Sequence, residues 1–498
     1  MPLDIVKTTS GFVSSVPGRD ELISVFKGIP YAAPPVGKLR WRPPQSPSKW
    51  EGVRRADCFG SACIQEPYRK GSFYHREFFP NPVKTSEDCL YLNIWTPAQT
   101  QRDKLPVYLW IHGGGLFQGY GHSKPFDGEN IAKMGIVVVT INYRLNIFGL
   151  LAHPELSKES RFGVSGNYAI LDQIEALKWV CANIDSFGGD SNQITIGGQS
   201  GGGRCVGIHM VSPLTKGLFI RAISQSGCAV GSGVNVHLKD AEQAGQTLVS
   251  KIGAHSIEEL RNISAHKLLS RFIEVAPTWP SVTPVIDGYV YEDNPAKVVH
   301  SGNQHYVALL SGSTNDEGVF NCSGMTVDSY VENANRFGDK ANEYLKHYPA
   351  RTAEEAIRSS NDYFTDHYFI SHRTLSLMHE ATSGIPTFQY LFTKVPPGRS
   401  SDIYGSFHTG ELAYVFQNLD MIERPWSDND RELSLTMARY WANFIKSGNP
   451  NGEGLERWSS SNESDMVMHF SDILKMEVAP NADRKSILEK CVANWLET

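Results

Sequence analysis

The strongest constraint on the fold is a regular alternation of short β-branched runs with helical patterns between about residues 90 and 225. This order is typical of a parallel sheet with helices on both faces, because parallel neighbours need a crossover between them. The predicted strands are 105–112, 135–144, 193–198 and 222–227, and the predicted crossover helix is 167–184, where apolar residues recur at helical spacing. We therefore predict an α/β protein with a mostly parallel central sheet.

Beyond residue 230 the pattern becomes mainly helical. Residues 230–300 and 320–385 predict helical insertions that cap the sheet, and strands return at 305–313 and 386–393. The segment 437–448 predicts a terminal helix, because glycine and proline follow it closely. Open α/β sheets accept long insertions, so we expect residues 1–498 to form a single domain.

Composition excludes several classes of partner. The hydrophobic content of 41%, the charged content of 20% and the net charge of −6 are those of an ordinary globular protein without a basic patch for nucleic acid or anionic membranes. No window is apolar enough for a membrane span, and the first twenty residues lack a secretory pattern. Cysteine spacing supports no metal site. We expect a cytoplasmic protein, or a secreted one if a signal has been removed.

A candidate nucleophile lies in the segment QITIGGQSGGG, where Ser200 occupies a G-x-S-x-G motif between a predicted strand and a helical stretch. Such a turn holds the serine in strained geometry, and small flanking residues leave room for it. The helix that follows directs its N–H groups and positive dipole end towards the reacting centre. A chance glycine-rich turn is the alternative, but the flanking strand and helix favour a nucleophile.

A serine hydroxyl needs an imidazole to accept its proton and a carboxylate to orient that imidazole. In folds built around this turn, the acid and then the histidine follow the serine, on loops after later strands. Asp316 and Glu317 follow the predicted strand 305–313, and His408 follows 386–393. His408 is the predicted base, and these positions alone leave the acid open between the two carboxylates.

A tetrahedral intermediate carries negative charge on the former carbonyl oxygen, which preorganised N–H groups stabilise. The run His112-Gly113-Gly114-Gly115 directly follows a predicted core strand and matches the HGGG pattern of such loops. We predict that the backbone N–H groups of Gly114, Gly115 and Gly201 form the oxyanion hole.

Several stretches resemble the type-B carboxylesterase and cholinesterase-like family: FKGIPYAAPPVGKLRW (26–41), SEDCLYLNIWTP (86–97), NYRLNIFGLL (142–151), GNYAILDQIEALKWV (166–180) and GGDSNQITIGGQSGGG (188–203). The resemblance extends from about residue 5 to the helix at 437–448. It implies the α/β-hydrolase fold and a cofactor-independent hydrolase of carboxylic esters, similar to microbial para-nitrobenzyl esterases.

The family comparison also implies individual roles. A glutamate in a segment like NDEG serves as the acid, which favours Glu317, and Ser226 in SQSG would hydrogen-bond that acid from behind, an ordinary buried serine being the alternative. Cys63 and Cys89 match the family's first disulfide, although we expect free thiols. Gln199 stands where choline-ester hydrolases carry glutamate, which argues against that specificity.

The predicted function is hydrolysis of small to medium uncharged alkyl or aryl esters. A noncatalytic adhesion module is the alternative from another class, but such modules typically lose the serine or the histidine. Feruloyl esters, carbamates and polyesters stay open as substrates. The aromatic-rich segments 72–79 and 362–369 predict core packing, or alternatively the walls of a gorge. We expect a monomer, with a dimer as the alternative.

Overall fold

The computed structural model describes residues 3–79, 82–231, 236–275, 282–320, 322 and 324–491. The strands within these residues are β1 (Ile5–Lys7), β2 (Phe12–Ser14), β3 (Val16–Pro17), β4 (Ser24–Pro30), β5 (Val53–Arg55), β6 (Ala62–Cys63), β7 (Thr85–Ser86), β8 (Tyr91–Thr96), β9 (Leu105–Ile111), β10 (Val137–Ile141), β11 (Gly189–Gln199), β12 (Arg221–Gln225), β13 (Val236–His237), β14 (Val285–Ile286), β15 (Ala308–Thr314), β16 (Thr387–Phe392), β17 (Met466–Phe470) and β18 (Lys475–Val478).

The α-helices of the same residues are α1 (Phe73–Glu77), α2 (Glu129–Ala132), α3 (Asn146–Leu150), α4 (Pro154–Glu159), α5 (Tyr168–Asn183), α6 (Gly201–Val211), α7 (Leu238–Ile252), α8 (Ile257–Asn262), α9 (Ala265–Glu274), α10 (Pro295–His300), α11 (Val327–Ala334), α12 (Ala341–His347), α13 (Ala353–Ser383), α14 (Ser401–Tyr404), α15 (Leu412–Val415), α16 (Asp428–Ser447) and α17 (Ala482–Cys491).

A mixed sheet organises the molecule. In the described residues its order is β18-β17-β16-β15-β12-β11-β9-β10-β8-β4-β3. The run from β17 to β10 is parallel, and antiparallel pairs extend it at both ends. The predicted α/β-hydrolase architecture, with a mostly parallel sheet, is therefore confirmed.

Both faces of the sheet are buried, which explains the nearly continuous apolar character of its central strands. Along β9, Leu109 and Ile111 pack in one core cluster with α5, whereas Tyr108 and Trp110 pack in a second cluster with α16 on the opposite face. This alternation follows from the two-residue period of a strand. Helices on both faces fix the sheet, and the loops at its carboxyl edge are left to carry chemistry.

Parallel register brings distant segments to that edge. Gly198 pairs with Ile111 on β9 and with Ser224 on β12, and Ser224 pairs with Ser311 on β15. The loops after β9, β11, β12 and β15 therefore leave the sheet at nearly the same level. Each of the sequence-predicted site segments up to residue 317 begins in one of these loops.

The cap insertions contain α7 to α10 and α11 to α13, as the helical patterns predict. The prediction for the late chain is wrong in one respect, because the helix predicted at 437–448 begins at Asp428 and is not terminal. The strands β17 and β18 and the helix α17 follow it. Gly448 in the left-handed region ends the helix, but a stop signal of this kind does not end a fold.

Helix α17 is fixed to α13 by a buried acid. Asp366 on α13 is fully buried, and its carboxylate meets the guanidinium of Arg484 and, at 3.0 Å, the amine of Lys485. The hydroxyl of Tyr348 donates to the same carboxylate at 2.9 Å. Because a buried charge needs such partners, α13 and α17 are coupled through these side chains.

Two further observations concern the cysteines near the amino end and the apolar character of the helices. Cys63 and Cys89 are buried neighbours and free thiols in the structure, and the hydrogen bond between them together with burial raises the pKa of Cys89. Within the described part of the chain, no helix is both long and apolar enough to cross a bilayer.

Candidate active site

The loop between β11 and α6 is a sharp turn around Ser200. This residue has φ 56° and ψ −123°, a conformation that non-glycine residues seldom adopt and that stores strain. The turn is closed by hydrogen bonds from Ser200 N to the carbonyl of Gln225, at 2.8 Å, and from Arg204 N to the carbonyl of Ser200, at 3.0 Å. A β-carbon on Gly202 would lie 2.1 Å from the carbonyl oxygen of Ile111, so the close approach requires glycine. The turn has the geometry predicted for a nucleophile.

The glycine loop after β9 lies against this turn. Gly114 has φ 99° and Gly115 has φ 64°, and a β-carbon on Gly114 would lie 2.1 Å from the carbonyl oxygen of Gln118. A β-carbon on Gly201 would lie 3.1 Å from the amide nitrogen of Gly115. The backbones of the three glycines predicted as oxyanion donors are therefore brought together beside Ser200.

Two side chains that the sequence did not single out hold this loop in place. The amide of Gln65 donates to the carbonyl of Gly119 at 2.9 Å and accepts from the N–H of the same residue at 2.7 Å. Tyr143 stacks on the His112 ring at 4.4 Å and donates to the His112 carbonyl at 2.6 Å. Burial lowers the pKa of His112 to about 4, so the ring is neutral near pH 7.

The predicted base and acid are in direct contact. Nδ1 of His408 is hydrogen-bonded to Oε2 of the buried Glu317, whose Oε1 accepts from the N–H of Thr314 at 2.7 Å. Burial alone would lower the pKa of His408, but the charge and hydrogen bond of Glu317 raise it above its usual value. Burial would raise the pKa of Glu317, and the interaction with His408 lowers it. The pair is held in its charged-acid form, as an imidazole-orienting carboxylate requires.

The neighbouring carboxylate has a different environment. Asp316 accepts hydrogen bonds from the N–H of Ser406 at 2.8 Å and from the side chain of Asn361 at 3.1 Å. These bonds tie the loop that carries His408 to α13. The structure thus brings Glu317, and not Asp316, to the histidine, in agreement with the choice that the family resemblance implied.

The serine and the histidine face the same cleft without a direct hydrogen bond among the described residues. Nε2 of His408 lies 3.2 Å from the side-chain amide nitrogen of Gln199, the residue before Ser200. Catalytic hydrogen bonds are often long in the absence of substrate and tighten in the reacting complex. A small rotation of the Gln199 amide away from the ring would leave Nε2 free for the serine hydroxyl.

Two other buried groups surround the acid. Ser226 is fully buried with φ 45°, and its hydroxyl contributes to the lowered pKa of Glu317, although Oγ has no partner of full hydrogen-bond geometry within the described residues. Glu411, which was not predicted from the sequence, accepts from Gln225 at 3.2 Å. Burial, followed by the nearby charge of Glu317, raises the pKa of Glu411 to about 7. Glu411 therefore holds its proton more strongly than Glu317 does.

Two cavities meet at Ser200. The larger is a cleft of about 540 Å³. Its lining includes Tyr68, Tyr74, Phe78, Phe79, the three oxyanion glycines, Phe320, Tyr368 and His408. The smaller measures about 180 Å³. Its lining includes Arg204, Gly227, Cys228, Tyr363, Phe364, His367, Tyr368 and Ser371.

The aromatic segments thus serve both of the purposes that the sequence left open. Phe73 is buried in the core, at 5% exposure, and Phe369 is buried at 6%. In contrast, Tyr74 and Phe79 line the cleft, and Tyr368 lines both cavities.

A strained serine at a strand-to-helix turn, facing a glycine loop and a buried acid–histidine pair at the carboxyl edge of the sheet, is the arrangement shared by serine hydrolases of the α/β-hydrolase fold. Within that class the chain belongs to the carboxylesterase family, whose family model matches residues 4–487.

Relatives and solved structures agree with this placement. The fumonisin B1 esterase of Sphingopyxis macrogoltabida is 36% identical over 93% of this chain and 85% of its own length. The para-nitrobenzyl esterase of Bacillus subtilis is 33% identical over 98% of this chain and 99% of its own. The structure of a Geobacillus stearothermophilus carboxylesterase superposes with a TM-score of 0.81 at 31% identity, over 97% and 99% of the two chains. The chain is accordingly a serine ester hydrolase.

Proposed function

We propose that Ser200, His408 and Glu317 form the catalytic triad and hydrolyse esters through an acyl-enzyme. The observation that carries this proposal is the buried Glu317–His408 pair, which faces the same cleft as the strained Ser200. In the first step His408 accepts the serine proton while Oγ attacks the ester carbonyl. The resulting imidazolium is stabilised by Glu317 and returns its proton to the leaving alcohol. Water then attacks the acyl-enzyme by the same route in reverse.

The charge on the tetrahedral oxygen requires donors that are already in position. The N–H groups of Gly114, Gly115 and Gly201 supply them in our proposal, supported by the close approach of the three backbones beside Ser200. Donors of this kind contribute by their fixed orientation, because no reorganisation is needed when the charge develops.

The two cavities suggest how an ester lies in the site. The leaving alcohol must take its proton from His408, and His408 lines the larger cleft but not the smaller cavity. We therefore place the alcohol in the cleft and the acyl group towards the smaller cavity. The aromatic walls of the cleft favour alkyl or aryl alcohols of small to medium size.

The quaternary state and the location belong to the same proposal. A monomer in the cytoplasm is the form predicted from the sequence, and free buried thiols such as Cys63 and Cys89 suit a reducing compartment. Light scattering of the purified protein tests the monomer, and a dimer of stable mass would contradict it.

The test of the mechanism is hydrolysis of p-nitrophenyl butyrate by the wild type, by Ser200→Ala and by Ser250→Ala, with the acyl adduct followed by mass spectrometry. We expect Ser200→Ala to lose about 10⁶-fold in kcat and to form no adduct. Ser250 is exposed on α7, so its variant should match the wild type. An adduct that persists in Ser200→Ala would assign the nucleophile elsewhere.

A further inference from the structure

The smaller cavity beside Ser200 contains a cation that has no partner among the described residues. Arg204 lies in the first turn of α6, the helix that directly follows the turn at Ser200. Both residues line the cavity of about 180 Å³ and also border the larger cleft, and the arginine is half-buried. Among the described residues, the guanidinium of Arg204 has no hydrogen bond and no ion pair.

Other arginines withdrawn from solvent have acceptors within the protein, although the acceptor is not always an anion, since the buried Arg221 donates to the Gln193 side chain at 2.8 Å and to the Lys446 carbonyl at 3.1 Å. Arg144 is buried and binds Asp172 through two nitrogens, at 2.6 and 2.7 Å. Arg40 binds Glu87 in the same bidentate manner, at 2.6 and 2.7 Å. A guanidinium withdrawn from water is unfavourable unless hydrogen-bond acceptors accompany it, and a carboxylate is the strongest of them. The contrast indicates that the acceptor for Arg204 arrives with a ligand.

The described residues around Arg204 include no carboxylate that could serve instead. The described lining of the smaller cavity has no aspartate or glutamate. In the larger cleft the carboxylate in the described lining is Glu317, which is bonded to His408. Burial raises the pKa of Tyr368 to about 12 and lowers the pKa of His367 to about 4, so both are neutral near pH 7. Arg204 therefore gives this cavity a net positive charge.

We propose that Arg204 determines specificity by binding a carboxylate on the acyl group, so that the preferred substrates are half-esters of dicarboxylic acids. The inference rests on the proposed function, because it takes the acyl group to enter the smaller cavity while the alcohol lies beside His408. It revises the expectation of uncharged esters for the acyl part and leaves the alcohol uncharged. The planar guanidinium matches a carboxylate with two parallel hydrogen bonds, which an ammonium cannot reproduce.

The experiment compares the monomethyl esters of glutaric and adipic acid with the methyl esters of the corresponding monoamides, which have the same shape but no charge. Proton release at constant pH 7.5 gives kcat/KM for the wild type, Arg204→Met and Arg204→Lys. Arg102→Met is the matched control, because Arg102 is exposed in the turn before β9, at the opposite edge of the sheet. p-Nitrophenyl butyrate serves as the neutral reference ester.

We expect the wild type and Arg102→Met to favour the acid over the amide by about 10- to 100-fold in kcat/KM. Arg204→Met should lose this preference while it hydrolyses the amide and the reference ester nearly as the wild type does. Arg204→Lys should keep a smaller preference. If Arg204→Met acted only through the structure, kcat/KM would fall equally for the acid and the amide, and that result would overturn the inference.

Equal rates for acid and amide in the wild type would also overturn it, as would an unchanged preference in Arg204→Met. Both results leave the proposed function intact as long as p-nitrophenyl butyrate is hydrolysed through Ser200. Failure of the wild type to hydrolyse any of these esters would overturn the proposed function and the inference together.

Discussion

The two halves of the candidate site are built in different ways. The nucleophile half consists of the turn at Ser200 and the glycine loop after β9, which belong to adjacent strands and touch through backbone atoms. The acid–base half joins Glu317 to His408, which lie 91 positions apart in the chain, through side chains. Its further supports, Thr365 and Asn361, come from the cap helix α13.

This difference teaches where each half is vulnerable. Backbone packing without β-carbons leaves no room for adjustment, so an added methyl group acts on the whole loop. Side-chain hydrogen bonds can be removed one at a time, so the acid–base half should respond in graded steps.

Glu317→Gln should lower kcat by about 10⁴-fold, because the amide holds the imidazole in the wrong tautomer and cannot stabilise its charged form. The measurement is steady-state hydrolysis of p-nitrophenyl butyrate, with circular dichroism to verify the fold. A loss of less than tenfold would mean that another group orients His408.

The same variant predicts a shift in pH dependence. Activity requires neutral His408, so the rate of the wild type falls as the pH drops through the pKa of this residue. Since Glu317 raises that pKa, its neutralisation should move the acidic limb to lower pH. An unmoved limb in the kcat profile would assign the titration to another group, such as Glu411.

Gly114→Ala tests the backbone half. The new β-carbon would lie 2.1 Å from the Gln118 carbonyl at a positive φ, so the loop must move and misdirect its N–H groups. We expect kcat to fall by about 10²- to 10³-fold, the effect of losing an oxyanion donor. Gly71→Ala is the control, because a β-carbon there has no heavy atom of the described residues within 4 Å, although φ is also positive. Equal effects of the two substitutions would contradict the assignment of this loop.

Asp316→Asn should have the smallest effect of the three. One carboxylate oxygen that binds Ser406 N or Asn361 is replaced by an amide group, which loosens the loop that carries His408 without touching the ring. We expect kcat to fall about tenfold and the free energy of unfolding to fall by about 1–2 kcal/mol. Urea denaturation and initial rates measure both. A loss of kcat as large as that of Glu317→Gln would contradict the different roles of the two carboxylates.

The sequence predicted the functional groups whose chemistry requires particular residue types next to one another in the chain. The turn at Ser200 and the glycine loop each lie in one short segment, because a strained serine and an oxyanion hole need small residues next to one another. The positions of Asp316, Glu317 and His408 followed from strand order, but the choice between the two carboxylates needed a family resemblance. The structure shows the physical reason, since Glu317 contacts the His408 ring, whereas Asp316 contacts the loop that carries His408.

What the sequence did not reveal depends on contacts between distant segments. Gln65 meets Gly119 across 54 positions, and Gln225 meets Glu411 across 186. Arg204 lies two residues after the G-x-S-x-G motif, but whether a carboxylate accompanies it depends on α13 and on the loop after β12. The expected monomer, single domain and cytoplasmic location are not tested by the fold and stay predictions.

The buried carboxylate of Asp366 has a practical consequence for anyone who handles this enzyme. It is adjacent to Thr365, which accepts a hydrogen bond from the Glu317 backbone, and its cationic partners are both on α17. A truncation before residue 482, or a bulky fusion that displaces α17, would remove both cationic partners of the Asp366 carboxylate. The change would also disturb the neighbouring contact between Thr365 and the backbone of Glu317. Affinity tags and fluorescent fusions at the carboxyl end therefore need a linker long enough to leave α17 in place.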